Sequence, residues 1–244
     1  MNSIQDRLSE VRSRIESAAA ASGRSAQAIK LIAVSKYRTR KEISTAIGCG
    51  QAVFGENTIQ EALPKIRDFS DVPLEWHFIG HLQTNKAKFL PGTFGWLHSL
   101  DSIRLASRLS AFTHPDSPLH TLIQVNITGE AGQFGIAPDK IFQFADELLE
   151  GDHANLKPDG LMAIGPRGAG EGILHRYFAS LRLLQEACAD RFGKEHFSEL
   201  SMGMSNDFEA AILEGATMVR LGTAIFGPRK QTANQDVAKL RPGS

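Results

Sequence analysis

Residues 30–56 read KLIAVSKYRTRKEISTAIGCGQAVFGE, and this stretch decides the fold. It begins with the run LIAVS at 31–35, in which successive side chains are apolar or small, as a strand covered on both faces requires. A helical pattern follows at 40–49, and a second strand pattern lies at 52–56. A strand, a helix and a strand in this order indicate two parallel strands joined by a helical crossover.

The same alternation continues along the rest of the chain. Strand patterns lie at 30–36, 52–56, 75–80, 96–101, 121–127, 159–164, 197–202 and 218–226. Helical patterns separate them at 40–49, 59–68, 84–89, 103–112, 139–149, 174–192 and 206–214. The chain has 244 residues, close to the ~250 that are usual for a closed (β/α)₈ barrel. We therefore predict an α/β fold, a single (β/α)₈ TIM-type barrel, with an open doubly wound sheet as the weaker alternative.

An additional helix precedes the predicted barrel. Apolar side chains recur at one helix face, at Ile4, Leu8, Val11 and Ile15. We predict one domain over residues 1–244, with an N-terminal helix at 1–23 and the barrel at 29–227. Residues 228–244 form a C-terminal tail with room for one short helix.

Composition excludes several classes of protein. Lys and Arg together number 27, as do Asp and Glu, so the broad positive surface of a nucleic-acid-binding protein is not expected. No apolar run approaches the ~18 residues of a membrane span, and charged residues interrupt the N-terminal stretch, unlike a signal peptide. Cys49 and Cys188 suit reduced thiols. We predict a cytoplasmic protein without nucleic-acid or membrane partners.

The functional site of such a barrel lies at the carboxyl ends of the strands, where Lys36 stands out. It shares strand parity with Ile32 and Val34, so we expect it to face the barrel interior. An ammonium on an apolar face is costly, and desolvation favours the neutral amine that a Schiff-base lysine needs. A lysine just past the strand, with its ammonium in solvent, is an equally supported alternative.

Two further features lie at the last strands. The loop 201–205, together with Gly222 and Thr223, occupies the position where many barrels bind phosphate. Ser205 or Asn206 would be the N-cap of the following helix, although a plain Ser/Gly turn fits the same residues.

Arg220 lies in an apolar strand, where a buried guanidinium needs partners. Contact with a ligand and an ion pair with Glu199 are both open interpretations. His77 and His81 lie over ~10 Å apart along a strand and lack further ligands, so we predict no metal site.

Several longer blocks resemble one family. IAVSKYR at 32–38, FGENTIQEAL at 54–63, WHFIGHLQTNK at 76–86 and LSMGMSNDFEAAILEGATMVRLGTAIFG at 200–227 are similar to the pyridoxal phosphate homeostasis proteins. These are single-domain relatives of the alanine racemase N-terminal barrel. The resemblance covers most of the chain, from about Ile29 to Gly227.

The resemblance implies pyridoxal 5′-phosphate (PLP) as cofactor, with Lys36 holding it as a Schiff base and Arg220 facing the pyridine nitrogen. It implies four residues for the phosphate cup: Ser201, Ser205, Gly222 and Thr223. It places two more near the cofactor: Asn57 and His77. One departure concerns the loop after the fifth strand, where Gln133 stands in place of the family's usual lysine.

The function expected from the resemblance is non-catalytic storage, buffering or delivery of PLP, with PLP-dependent apoenzymes as partners and the protein a monomer. Arginine donates only, so it would keep the ring nitrogen unprotonated and the ring a weak electron sink. Racemases of this fold add a tyrosine from a second domain, which we do not expect here, and neither Tyr37 nor Tyr177 is predicted to face Lys36. A racemase or decarboxylase is the alternative, and an unrelated aldolase using Lys36 is a third.

Overall fold

A computed structural model describes residues 3–130 and 132–228. Eight parallel strands form a closed barrel in the order β1 to β8. They are β1 Lys30–Val34, β2 Val53–Glu56, β3 Glu75–Phe78, β4 Trp96–Leu100, β5 Leu119–Val125, β6 Leu156–Ala163, β7 Glu199–Ser201 and β8 Met218–Leu221. The barrel closes where β1 pairs with β8, with Ile32 opposite Arg220. The predicted TIM-type barrel is confirmed, and the open doubly wound sheet is excluded.

Helices surround the strands. They are α1 Ile4–Ala21, α2 Arg40–Gly48, α3 Ile59–Asp68, α4 Ile103–Ser110, α5 Ile141–Glu150, α6 Glu171–Phe192, α7 Phe208–Leu213 and α8 Thr223–Phe226. Short 3₁₀ helices lie at Ala26–Ala28, Thr84–Phe89 and Pro138–Lys140. The helix predicted at 84–89 is therefore 3₁₀. Within the described residues, none of these helices is both long and apolar enough to span a bilayer.

The predicted N-terminal helix is α1, and it packs against α7 and α8, the last two helices of the barrel. Ser3 caps it, because its hydroxyl accepts a hydrogen bond from the Asp6 amide while the Asp6 carboxylate accepts one from the Ser3 amide. Its apolar face is buried. Arg7 Nε donates to the carbonyl of Ile225 in α8 at 2.7 Å, so α1 and α8 are held together.

The apolar interior is divided in two by the strands. An inner cluster fills the barrel with Ile32, Trp96, Leu122, Met162 and Met218. A larger outer cluster lies between the strands and the helices and includes the neighbours of those residues along each strand. Successive side chains of a strand point to opposite faces, so alternate residues belong to the inner and to the outer cluster.

Two boundaries near the last strands differ from the prediction. The strand expected at 218–226 ends at Leu221 and gives way to α8, because the amides of Gly222 and Ala224 donate to the Ser205 hydroxyl rather than to a strand. The N-cap of α7 is Asp207, not Ser205 or Asn206. The predicted tail beyond 228 lies outside the described residues, and the single-domain prediction stays a prediction.

Candidate functional site

A cavity of about 650 Å³ opens at the carboxyl ends of the strands, where the barrel architecture predicts a site. Its wall combines the ends of β1, β2, β6, β7 and β8. It brings together six of the eight residues that the sequence singled out: Lys36, Asn57, Ser205, Arg220, Gly222 and Thr223. Apolar side chains of Met162 and Ile164 form part of the same wall.

Lys36 lies in a tight turn directly after β1. Ile32 packs inside the barrel, and Val34 and Lys36 both line the cavity, as the strand alternation predicts. The Arg38 amide donates to the Ser35 carbonyl at 3.0 Å, and Tyr37 has φ of 61°. Such a turn, with a left-handed third residue, directs Lys36 to the cavity and leaves Tyr37 64% exposed.

A buried charged cluster supports this turn from below. The Ser35 hydroxyl donates to Glu56 Oε1 at 2.6 Å. Lys65 Nζ donates to the Ser35 carbonyl at 2.7 Å and to Glu56 Oε1 at 2.8 Å. Burial raises the pKa of Glu56. The ammonium of Lys65 is therefore bonded to acceptors that do not line the cavity.

One corner of the cavity brings two backbone N–H groups to a single oxygen atom. We call it the Ser205 corner, and it is formed by Ser205, Gly222, Thr223 and Ala224. The backbone amides of Gly222 and Ala224 converge on Ser205 Oγ, at 3.3 and 3.2 Å. Thr223 lies between these two amides and lines the cavity. Backbone N–H groups that point at one oxygen are the donors that phosphate sites use.

Arg220 is the buried cation of the wall, 5% exposed. Its guanidinium donates to Ser201 Oγ at 2.6 Å and to the Ala163 carbonyl at 2.9 Å. Burial lowers the pKa of Arg220 to about 10, and the charge of Asp207 opposes that change, so the guanidinium stays charged at neutral pH.

The ion pair of Arg220 with Glu199 is not formed among the described residues. The Glu199 carboxylate accepts a hydrogen bond from Thr217 Oγ1 at 2.6 Å. The acidic neighbour is Asp207 instead, which lines the cavity and whose pKa is raised by burial.

His77 and Ser201 are not among the residues that line the cavity. Both are fully buried inside the barrel. Ser201 lies behind Arg220, His98 contacts Ser201, and His77 lies behind His98. These two predicted site residues therefore lie near the cavity without lining it.

The described residues contain no cluster of three or more His, Cys, Asp or Glu side chains that could hold a metal ion. His81, four residues after His77, pairs with Asp101 at 3.3 Å. Its ring also stacks on Phe134, with centroids 3.6 Å apart. His81 therefore has structural partners of its own.

Sequence reasoning missed two charged residues of the cavity wall, Asp207 and Arg167. Asp207 directly follows Asn206, and its place after the seventh strand was the signal that could have identified it. Arg167 lies in the Gly-rich loop after β6, and its position at a strand's carboxyl end was the signal that could have identified it.

Comparison with known proteins agrees with this arrangement. The family described as the alanine racemase N-terminal domain matches residues 7–230. The pyridoxal phosphate homeostasis protein of Escherichia coli K12 is 43% identical over 234 residues, which cover 94% of this chain and 98% of that protein. The chain belongs to the pyridoxal phosphate homeostasis protein family. The resemblance predicted from the sequence is thus confirmed.

A solved structure of a similar protein has the same fold. PipY of Synechococcus elongatus, described with PLP bound, is 33% identical and superposes with a TM-score of 0.78, over 92% of this chain and 100% of that chain. The structure of PipY without PLP has a TM-score of 0.82 at 34% identity, with the same coverage.

The residues of this family member fit the cofactor named for its relatives. Asn57 Oδ1 is buried in the cavity wall, and no described residue donates a hydrogen bond to it. Lys36 supplies an amine, the Ser205 corner supplies anion donors, and Met162 and Ile164 supply an apolar surface for a ring. An aldehyde, a phosphate and an aromatic ring are thus each matched by a group of the wall.

Proposed function

We propose that this protein binds PLP in the cavity, holds it covalently through Lys36, and serves cofactor homeostasis by storing, buffering or delivering it. The observation that carries the proposal is the meeting of Lys36, Arg220 and the Ser205 corner in one cavity. An amine, a buried cation and hydroxyl donors match the three chemical parts of this ligand.

Each group has a distinct role in the proposal. When bound, PLP supplies an aldehyde that reacts with primary amines. Lys36 contributes the amine, placed by its turn on the cavity side of β1. The amides of Gly222 and Ala224 orient the Ser205 hydroxyl, which donates to the phosphate together with the hydroxyl of Thr223. Arg220 carries only donors and stays charged, so it favours a ligand atom that accepts a hydrogen bond.

Binding without turnover is part of the same proposal. Neither tyrosine is among the cavity residues: Tyr37 is 64% exposed and Tyr177 lies on the outer helix α6. Arg220 occupies the wall where a carboxylate would strengthen the ring as an electron sink. A PLP-dependent racemase or decarboxylase remains the second candidate, supported by the family match to the alanine racemase N-terminal domain.

Three finer points belong to the proposal. The partners are PLP-dependent apoenzymes, which receive the cofactor, and the carrier acts as a monomer. Cys49 and Cys188, both in the described ranges, form no disulfide, which suits a reducing compartment such as the cytoplasm.

Titration with PLP, followed by transfer, tests the proposed function. The purified chain should bind PLP with an absorbance change near the visible range, and the loaded chain should restore activity to a PLP-dependent apoenzyme. Pyridoxal, which lacks the phosphate, should bind at least tenfold more weakly. Equal affinity for the two forms, or a loaded chain that restores no activity, would contradict the proposal.

A further inference from the structure

A continuous line of hydrogen bonds runs through the barrel behind Arg220. We call it the relay, and its members are Glu75, His77, His98, Ser201 and Arg220. Glu75 Oε1 lies 2.6 Å from His77 Nε2, and His77 Nδ1 lies 2.7 Å from His98 Nε2. His98 Nδ1 lies 2.9 Å from Ser201 Oγ, which accepts from Arg220 at 2.6 Å.

The relay joins opposite ends of the barrel. Glu75 is the first residue of β3, so it lies at the mouth opposite the cavity. Its side chain is 37% exposed and pairs with Lys30 at 2.8 Å. The three members between Glu75 and Arg220 are fully buried. Buried polar groups of this kind are tolerated only when they are hydrogen-bonded, and each of these three has a partner on both sides.

The direction of every bond in the relay follows from its two ends. Arg220 only donates, so Ser201 Oγ accepts and its hydroxyl proton points to His98 Nδ1. A neutral His98 then carries its proton on Nε2 and donates to His77 Nδ1. A neutral His77 likewise carries its proton on Nε2 and donates to Glu75.

The charges around the relay favour this assignment. Burial lowers the pKa values of both His77 and His98. The hydrogen bond from His77 is the main reason that the pKa of Glu75 falls to about 2. The Glu75 carboxylate acts to raise the pKa of His77, but burial outweighs it, and Lys30 and His120 beside His77 and Arg220 beside His98 lower the two pKa values further.

We propose that Glu75, His77, His98 and Ser201 are positioning residues that act on the cavity through Arg220. Every hydrogen bond of the relay is donated in the direction away from the cavity, and the last one is accepted by the Glu75 carboxylate. The guanidinium of Arg220 is therefore held in one orientation. A change at the far mouth of the barrel would then alter the affinity for the ligand that Arg220 contacts. The effect on PLP affinity rests on the proposed function, whereas the proton positions do not.

The chain offers a matched control at the same mouth. His120 Nδ1 lies 2.8 Å from Asp159 Oδ2, a second pair of imidazole and carboxylate. His120 stacks on Trp96, and neither residue of this pair is hydrogen-bonded to Ser201 or Arg220 in the described structure. Glu75→Gln and Asp159→Asn therefore each remove a carboxylate that is bonded to an imidazole, and only Glu75 belongs to the relay.

Two measurements test the relay. In the PLP-free chain, ¹⁵N NMR of the histidine side chains at pH 7.5 should find His77 and His98 neutral with the proton on Nε2. Glu75→Gln should disturb this pattern at His98, two bonds away, and Asp159→Asn should leave it. In PLP titrations, Glu75→Gln should weaken binding three- to tenfold, and Asp159→Asn by less than twofold.

Other outcomes separate the two proposals. A proton on His98 Nδ1 in the wild type would overturn the relay, as would equal effects of the two variants on PLP affinity. A wild-type chain that binds no PLP would contradict the proposed function alone, since the NMR pattern of the PLP-free chain would still test the relay. Thermal melts of both variants establish that the comparison is made between folded proteins.

Discussion

Two cations of the cavity wall, Arg220 and Arg167, differ in how firmly the structure holds them. Arg220 is buried and bonded to Ser201 and to the Ala163 carbonyl. Arg167 is exposed on the loop after β6. Solvent screens an exposed charge, whereas a buried guanidinium acts at low dielectric and in a fixed place. The two arginines are therefore expected to contribute unequally to binding.

We expect Arg220→Gln to weaken PLP binding at least tenfold, because the variant loses a fixed positive charge at the ligand. Arg167→Gln should change the dissociation constant less than threefold. Absorbance titration of both variants gives the comparison. Similar losses in the two would mean that only the total charge of the cavity matters.

The two relay histidines also make stability depend on pH. Their pKa values are lowered in the folded chain, so around pH 6 the unfolded chain binds more protons. The free energy of unfolding should therefore be retained above about pH 6.5 and fall as the pH decreases, by up to about 1.4 kcal/mol per pH unit for each histidine.

Urea denaturation at pH 7.5 and pH 5.5 measures this dependence. His98→Asn should reduce the difference in stability between the two pH values. His114→Gln serves as the control, since the side chain of His114 is 73% exposed. An unchanged difference in His98→Asn would refute a neutral, buried His98.

At the scale of elements, the loop between β7 and α7 sets the shape of the Ser205 corner. Gly203 has φ of 92°, and a Cβ there would lie 2.7 Å from Ala211 Cβ. Both the backbone conformation and the contact with α7 therefore require glycine. Gly172, in the first turn of α6, has open space around it and no positive φ.

We expect Gly203→Ala to lower the free energy of unfolding by about 2 kcal/mol or more, through backbone strain and overpacking. Gly172→Ala should instead raise it by about 0.4–1 kcal/mol, since alanine fits this backbone conformation and reduces the conformational entropy of the unfolded chain. Thermal or urea denaturation compares the two. A neutral Gly203→Ala would show that the loop adapts and does not fix the corner.

Patterns that are local in sequence predicted the elements well. The alternation of strands and helices led to the barrel, and the parity of Ile32, Val34 and Lys36 predicted a lysine on the interior face. Local patterns could not predict contacts between residues that are distant in sequence. Glu199 was weighed as the partner of Arg220, yet the register of the strands brings Ser201 there instead. The turn into α8 was also missed, because the Ser205 hydroxyl that receives its amides is remote in sequence.

At the scale of the whole molecule, α1 links the start of the described chain to its end. It contacts α7 and α8, the two helices that follow the strands of the Ser205 corner. Arg14 of α1 also pairs with Glu209 of α7. The N-terminal helix thus packs on the last two βα units, whose loops contribute to the cavity wall.

The carrier interpretation predicts little chemistry on amino acids. PLP-loaded protein incubated with L-amino acids in deuterated water should exchange α-protons no faster than free PLP does. The reason is that Tyr37 and Tyr177 are not among the cavity residues, so an acid or base opposite Lys36 is not provided by either. Rapid exchange that disappears in Lys36→Ala would favour the racemase or decarboxylase alternative.

The central claim is that Lys36 holds the cofactor, and reductive trapping tests it most directly. The chain is loaded with PLP, reduced with borohydride and digested, and the peptides are mapped by mass spectrometry. One cofactor mass should be found on Lys36, and Lys36→Ala should trap none. An adduct on another lysine, such as Lys65, or an unchanged yield in Lys36→Ala, would contradict the account.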